Sequence, residues 1–397
     1  MKFVTALFRM LRLISMPFVF LFSFLVPKDD DLWVFMAGDH GVRFADNAKY
    51  LFLYCAGQDV RSVWITSSVE TRDALQQQGY EVYLATSLRG RMTMLRASVF
   101  FETHGPVWPE YAGGTHIVHL THGNYLKKML TDHTRDWLQP VEVAFDLLFG
   151  RRRKHVVTAD GRPAANTCSM HDVPADRLLI TGFPRNDVLL NQRSGERIGL
   201  DENALDSVVE QATAGPVVLY APTWRRAYGE QNGVPLAELD LGLSELDTLF
   251  ANYGGHLYLS PHPATTLEED LSDLSNVSLL DTGGDLYPFM RHCDALITDY
   301  SGIFYDFLLL DRPLVFYAPD LPEYLQDREL YFEYEEHVPG PVLQDPDGFV
   351  AAVKDVLDGV DEYQNERETL RDEFYEHPDG KASERVYRVV REWTQRS

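Results

Sequence analysis

At 397 residues the chain is too long for one ordinary domain and suits two of roughly 150 to 200 residues each. Its 45% hydrophobic and 12% aromatic content excludes a disordered chain, and a formal charge of −24 disfavours contact with phosphodiester backbones, so nucleic acid is not an expected partner. Cys55, Cys168 and Cys293 are odd in number and widely spaced, which excludes a disulfide framework and a paired-cysteine zinc site.

Lys2, Arg9 and Arg12 precede an apolar run from Leu13 to Val26 that Pro17 interrupts. The run, about 14 residues, is shorter than the roughly 20 that span a bilayer. No small-x-small cleavage site follows it. A signal peptide, a short anchor and a buried helix all fit in principle. The favoured expectation is a helix over residues 1–28 lying in the cytoplasmic face of the cell membrane, cations against anionic headgroups and Phe18, Phe20, Phe22 and Phe24 against acyl chains.

Short apolar runs then alternate with amphipathic stretches, the pattern of parallel strands with crossover helices. Strands are expected at Leu32–Met36, Ser62–Ile65, Glu81–Leu84, Val99–Glu102 and Thr115–Leu120, with helices at Ala48–Cys55 and Val69–Gln78. A helix near Val141–Leu148 and strands near Val156 and Leu179 close this half, and the polar stretch Asn191–Asp206 reads as the interdomain connection. The alternation restarts with strands at Val217–Tyr220, His256–Leu259, Ala295–Thr298 and Leu314–Tyr317, and helices at Ile303–Leu310, Asp347–Leu357 and Ala382–Thr394. The expected fold is α/β, two Rossmann-like doubly wound domains facing a cleft, covering residues 29–200 and 201–397.

In such sheets ligands bind beyond the carboxyl ends of strands. Four clusters occupy those places. His122-Gly123 follows the strand Thr115–Leu120; a histidine there suits proton abstraction from an alcohol near neutral pH, and a structural histidine is the even alternative. Arg185 and Asn186 stand in the turn Gly182-Phe183-Pro184-Arg185-Asn186-Asp187, where the arginine can clamp phosphate oxygens or merely flank a helix cap. Thr223 and Arg225, with Trp224, follow Val217–Tyr220, and His262 sits between two prolines after His256–Leu259, a donor with little freedom to move. Asp299-Tyr300-Ser301-Gly302 forms a strand-to-helix turn whose amides point outward, an anion site or a plain helix cap.

Taken in order, these segments resemble the CDP-glycerol glycerophosphotransferase family of teichoic-acid polymer synthesis. The shared residues are Asp46-Asn47 with Lys49-Tyr50-Leu51-Phe52, His122-Gly123 with Leu126-Lys127, Pro184-Arg185-Asn186-Asp187, Ala221-Pro222-Thr223-Trp224-Arg225, His262-Pro263, Thr298-Asp299-Tyr300-Ser301 with Asp306-Phe307, and Pro339-Gly340-Pro341. The resemblance implies a GT-B type fold, a CDP-glycerol or related CDP-polyol donor held by the second domain, a lipid-linked acceptor at the membrane surface, and no metal or other cofactor. It implies that His122 is the base, that His262 stabilises the donor pyrophosphate as CMP leaves, and that Gly123, Arg185, Asn186, Thr223, Arg225, Asp299, Tyr300, Ser301 and Gly302 contact donor or phosphate. Four residues at three places depart from the family pattern. Thr121 stands for a usual tryptophan, Asn124-Tyr125 for a small residue and proline, and Gly302 for a second serine, so the identity of the polyol is less fixed than the reaction. A glycosyltransferase using a nucleotide sugar, or a non-catalytic membrane-attached nucleotide-binding protein, are the competing readings; the presence of both His122 and His262 argues against the second.

Overall fold

The structure, a computed structural model, describes residues 15–37, 41–103, 108–129, 154–158, 161–223, 241–261 and 271–395. The cationic residues Lys2, Arg9 and Arg12, the expected helix Val141–Leu148, and Trp224, Arg225 and His262 lie outside the described residues.

The short apolar runs become strands of two sheets. The first holds β1 (Asp29–Phe35), β2 (Arg61–Thr66), β3 (Val82–Leu84), β4 (Ala97–Glu102), β5 (His116–His119), β6 (Lys154–Thr158) and β7 (Leu178–Ile180), in the order β3-β2-β1-β4-β5-β6-β7. The second holds β8 (Val217–Tyr220), β9 (His256–Leu259), β10 (Val277–Leu279), β11 (Ala295–Thr298), β12 (Leu314–Tyr317) and β13 (Val342–Leu343), in the order β10-β9-β8-β11-β12-β13. Every described strand pairing is parallel. Parallel strands are covered on both faces, which is why they read as unbroken apolar runs. Along β1, Leu32 and Val34 join one core, with Met94 and Phe100, while Trp33 and Phe35 join another, with Phe52 and Phe101. The second sheet divides likewise: Ala295 and Ile297 pack with Phe250 and Phe349, and Leu296 faces the larger core.

The expected connection Asn191–Asp206 does not stay irregular: a helix, Glu202–Ala214, starts inside it. Asp201 accepts the Ala204 N–H at 3.0 Å and the helix buries Leu205 and Val208, so cap and apolar spacing outweigh the polar composition. The expected helix Ile303–Leu310 is α-helical only over Ile303–Phe307, tightens to a 3-10 turn at Leu308–Leu310 and stops at Asp311, whose φ is +49°.

Two devices join the sheets. The Lys49 ammonium, in the helix Asp46–Cys55, meets the Asp285 carboxylate at 2.8 Å, with side-chain exposures of 0% and 2%. Desolvating this pair is costly, and its additional partners offset the cost: Lys49 also donates to the Glu196 carbonyl (2.6 Å) and the Tyr50 hydroxyl to Asp285 (2.7 Å). The last helix, Ala382–Gln395, follows the second sheet in the chain but packs on the first, where Tyr387 lies 5.6 Å from Trp33 between ring centroids. The Asp187 carboxylate caps its start, accepting the N–H groups of Ala382 (2.7 Å) and Ser383 (2.9 Å).

Candidate active site

Each sheet has a point where strand order reverses, between β1 and β4 in the first and between β8 and β11 in the second. Crevices open at such points. The chain leaving β1 leads to Asp46, that leaving β5 to His122, and those leaving β8 and β11 to Thr223 and Asp299.

Asp46 sits at φ +63°, a left-handed conformation that aspartate and asparagine tolerate better than most residues. Its Oδ2 lies 2.7 Å from His122 Nδ1, while its Oδ1 accepts Arg185 Nη1 at 2.9 Å and the Asn47 N–H at 2.8 Å. Asn47, fully buried, donates to the carbonyls of Leu120 (3.1 Å) and Thr121 (3.0 Å) and accepts the Arg185 N–H (3.0 Å). One asparagine thereby fixes the loop after β5 against the turn that carries Arg185. Thr121 is held at φ +56°, strained for a β-branched residue and worth about 1–3 kcal/mol, immediately before the histidine. Gly123 follows at φ +91°, and a Cβ there would stand 2.4 Å from Arg185 Nη2. Glycine at this position lets the guanidinium pass under the turn.

Arg185 does not present a free clamp. Its Nη2 donates to the His122 carbonyl (2.5 Å) and to Asp306 Oδ2 (2.7 Å), its Cζ lies 4.7 Å from the Tyr287 ring centroid, and its side chain is 9% exposed. Burial by itself would lower its pKa; Asp306, Tyr287 and Asp46 more than offset this and hold the guanidinium charged. The fully buried Asp306 also accepts Asn186 Nδ2 (2.9 Å) and the hydroxyls of Tyr287 (2.5 Å) and Tyr375 (3.1 Å). Burial and the neighbouring carboxylate push both phenols well above their ordinary pKa, so they remain donors. The expected phosphate contacts Arg185 and Asn186 are therefore spent on carboxylates, and what they build is a bridge from the first sheet to the second.

In the second sheet Asp299 and Tyr300 are likewise turned inward. The Asp299 carboxylate accepts the Thr223 N–H (2.8 and 3.0 Å), Tyr334 donates to the Asp299 carbonyl (3.0 Å), and Tyr300 stacks on Tyr324 at 3.7 Å. Both residues are 0% exposed. They tie the β8 and β11 loops together and leave the half-buried Ser301 and Thr223 as the hydroxyl groups of that face. Among the described residues the Thr223 hydroxyl has no hydrogen-bond partner. A Cβ on Gly302 would lie 2.7 Å from the Asn124 carbonyl oxygen, so two of the positions that depart from the family pattern touch across the seam. The Asn124 amide is buried, with no hydrogen-bond partner for its oxygen or nitrogen among the described residues.

The structure thus brings His122, Gly123, Arg185 and Asn186 into one network, groups Thr223, Asp299, Tyr300, Ser301 and Gly302 on the facing loops, and adds two carboxylates. Asp46 and Asp306 occur in the sequence only as members of motifs. Nothing local marks them, because His122 lies 76 residues from Asp46 and Arg185 lies 121 from Asp306.

Two doubly wound sheets meeting at their switch points, with a histidine–carboxylate pair on one side and hydroxyl groups on the other, place the chain among α/β enzymes that take nucleotide ligands at strand ends. More narrowly, the chain belongs to the CDP-Glycerol:Poly(glycerophosphate) glycerophosphotransferase family, whose sequence model matches residues 18–392. It is 26% identical over 372 residues to the teichoic acid glycerol-phosphate transferase of Staphylococcus aureus, covering 90% of this chain and 92% of that one. It is 32% identical over 219 residues to the teichoic acid ribitol-phosphate primase of Bacillus spizizenii, covering 53% of this chain and 52% of the primase. A solved structure of a variant of the wall teichoic acid polymerase TagF with CDPG superposes with a TM-score of 0.78 at 22% identity, over 100% of this chain and 98% of that one, and establishes the shared fold.

Proposed function

We infer that this chain transfers glycerol phosphate, or a related polyol phosphate, from a CDP-activated donor to the hydroxyl of a lipid-linked acceptor in cell-surface polymer synthesis. The observation that carries the reading is His122, held by Asp46 where the first sheet meets the loops of the second. The acceptor oxygen bonds to the phosphorus nearest the polyol, the bridging P–O bond to CMP breaks, and the acceptor proton passes to the His122 imidazole. Catalysis of this kind is positioning and charge stabilisation. Thr223 and Ser301 supply neutral donors to the phosphates, and Gly302 adds its backbone beside them, its missing side chain making room for the Asn124 carbonyl. His262 and Arg225 keep the roles that the resemblance implies, as donors to the pyrophosphate. Arg185, Asn186, Asp299 and Tyr300 shape the site from behind.

The two lobes, 29–200 and 201–397 with the last helix crossing back, are assigned as acceptor and donor sides of a GT-B type cleft. The amino-terminal segment is assigned to the cytoplasmic membrane surface as a peripheral or monotopic contact. Its helix, residues 15–23, buries Phe20 and Ser23, while Phe18, Leu21 and Phe22, and Leu25 in the turn that follows, are 55–78% exposed. The burial side is a close fit, since a Cβ on Gly113 would meet Ser23 Oγ at 2.0 Å. Lys28 Nζ donates to the Leu95 carbonyl (2.7 Å), linking this segment to the helix Leu88–Arg96, which exposes Leu88, Arg89, Arg91, Met92 and Arg96 and carries no acid. Apolar side chains among cations suit an anionic lipid face. No helix of the described residues is long and apolar enough to cross a membrane.

Radiolabelled transfer from CDP-glycerol, CDP-ribitol and UDP-sugars, with and without membranes, tests the reading. Transfer from a CDP-polyol with CMP release is expected. Transfer only from a UDP-sugar overturns it, and CDP binding without turnover from any donor supports a binding protein instead.

A further inference from the structure

The reaction scheme gives Asp46 no contact with donor or acceptor, yet three groups share its carboxylate, His122 among them. Its two oxygens are divided. Oδ1 is taken by two donors, Arg185 Nη1 and the Asn47 N–H, and Oδ2 is left for His122 Nδ1 at 2.7 Å. The carboxylate has little freedom to turn: its side chain is 16% exposed, and its backbone is fixed at φ +63°. Arg185 is itself anchored on Asp306 of the second lobe.

We propose that Asp46 is the positioning residue of His122: it holds the imidazole as the Nδ1–H tautomer, so that the lone pair lies on Nε2, and Arg185 transmits to it the position of the second lobe through Asp306. An ionised carboxylate only accepts hydrogen bonds, so a neutral imidazole facing it carries its proton on Nδ1. The nitrogen on the far edge of the ring is then the one able to take a proton from an alcohol. Fixing tautomer and ring angle together is what a carboxylate behind a catalytic histidine does in other enzymes. The inference rests on the reading of His122 as the base.

Asp46→Asn isolates the effect. Asparagine tolerates the left-handed backbone as aspartate does, so the fold is kept. Arg185 and the Asn47 N–H both need an acceptor, which puts the amide oxygen in the place of Oδ1 and the NH2 group opposite His122 Nδ1. Nδ1 must then accept, and the proton moves to Nε2. In two-bond 1H–15N spectra of 15N-histidine-labelled protein, with His122 assigned by the loss of its signals in His122→Gln, the wild type shows the Nδ1–H form and Asp46→Asn the Nε2–H form. With a CDP-polyol donor kcat falls by about 10²- to 10⁴-fold, while the Kd for CDP stays within about twofold. An unchanged tautomer and a kcat within about threefold of wild type, alongside an inactive His122→Ala, overturn the proposal and leave the base intact. Full turnover in His122→Ala overturns the base itself. If Asp46→Asn fails to fold, the wild-type spectrum decides: a predominant Nε2–H form removes Asp46 from the role.

Discussion

Removing the Arg185 guanidinium tests how far the two lobes depend on one buried charge network. Arg185→Met keeps the length and apolar stem but deletes the ion pairs to Asp46 and Asp306, the donation to the His122 carbonyl and the cation over Tyr287. Breaking a buried pair from one side costs about 3–5 kcal/mol, because the remaining charge is left without its counterion. Asp306, at 0% side-chain exposure, retains Asn186, Tyr287 and Tyr375 as neutral donors, which places the expected loss near the lower end, about 3 kcal/mol. Urea unfolding followed by tryptophan fluorescence and far-UV circular dichroism reads the change, with an Asp306→Asn single variant and the double variant completing a cycle. The two side chains touch, so the double variant loses less than the sum of the singles by about 1–3 kcal/mol. An Arg185→Met variant within about 1 kcal/mol of wild type, or strictly additive variants, refutes the idea that this pair ties the lobes.

Three further outcomes follow from local geometry. Burial, reinforced by Arg162, pulls the His337 pKa from 6.5 down to about 4, so on acidification the unfolded chain takes the proton first; stability is full above the unfolded pKa and falls through that window, by roughly 3 kcal/mol at most. His337→Gln, which keeps an acceptor for the Tyr305 hydroxyl, flattens that slope in melting curves taken across the window, and an unaltered slope removes His337 as its source. Gly302→Ser drives a Cβ against the Asn124 carbonyl and lowers stability by about 1–3 kcal/mol, read as a lower Tm; an unchanged Tm shows that the seam is looser than the 2.7 Å approach implies. Leu21→Gln with Leu25→Gln, at 61% and 78% exposed positions, leaves Tm unchanged but weakens binding to phosphatidylglycerol-containing vesicles by at least about 10²-fold, and equal vesicle binding argues against the membrane assignment.

The second sheet was the most legible part of the chain. Val217–Tyr220, His256–Leu259, Ala295–Thr298 and Leu314–Tyr317 are strands at the expected bounds, since a strand buried on both faces is a short apolar run with polar ends. The edge strands were not legible: β13 has two residues, and β10 is half exposed, so neither makes a run. The helix Leu88–Arg96 hides behind three arginines, and Gly161–His171 carries a glycine and a proline in its first turn. The helix Glu202–Ala214 was readable from Asp201 and the spacing of Leu205 and Val208, but its polar start outweighed that signal. At the site, strand-end position drew attention to His122, Arg185 and the Asp299 turn, because strand ends are where side chains converge. It did not reveal what each side chain touches. Arginine after a turn looks the same in sequence whether its partner is a phosphate or Asp306, and an aspartate in a strand-to-helix turn looks the same whether it meets a ligand or the Thr223 N–H.

The departures from the family pattern acquire a physical reading from the same geometry. Asn124 and Gly302 belong to different lobes and lie about 180 residues apart in the chain, yet the loss of a side chain at one is what admits the carbonyl of the other. They meet at the seam. Of the other two, Thr121 is held at φ +56° and Tyr125 has its hydroxyl 3.4 Å from the His122 N–H, so the loop still holds the histidine's backbone. Among the described residues the Asp46–His122 pair is intact beside these positions, and the Thr223 N–H is held by Asp299. A buried asparagine amide with no protein partner among the described residues costs free energy that a bound hydroxyl would relieve. Filling the Gly302 position would press on the Asn124 backbone, where the loops of the two sheets meet, and leave the Asp46–His122 contact unaltered.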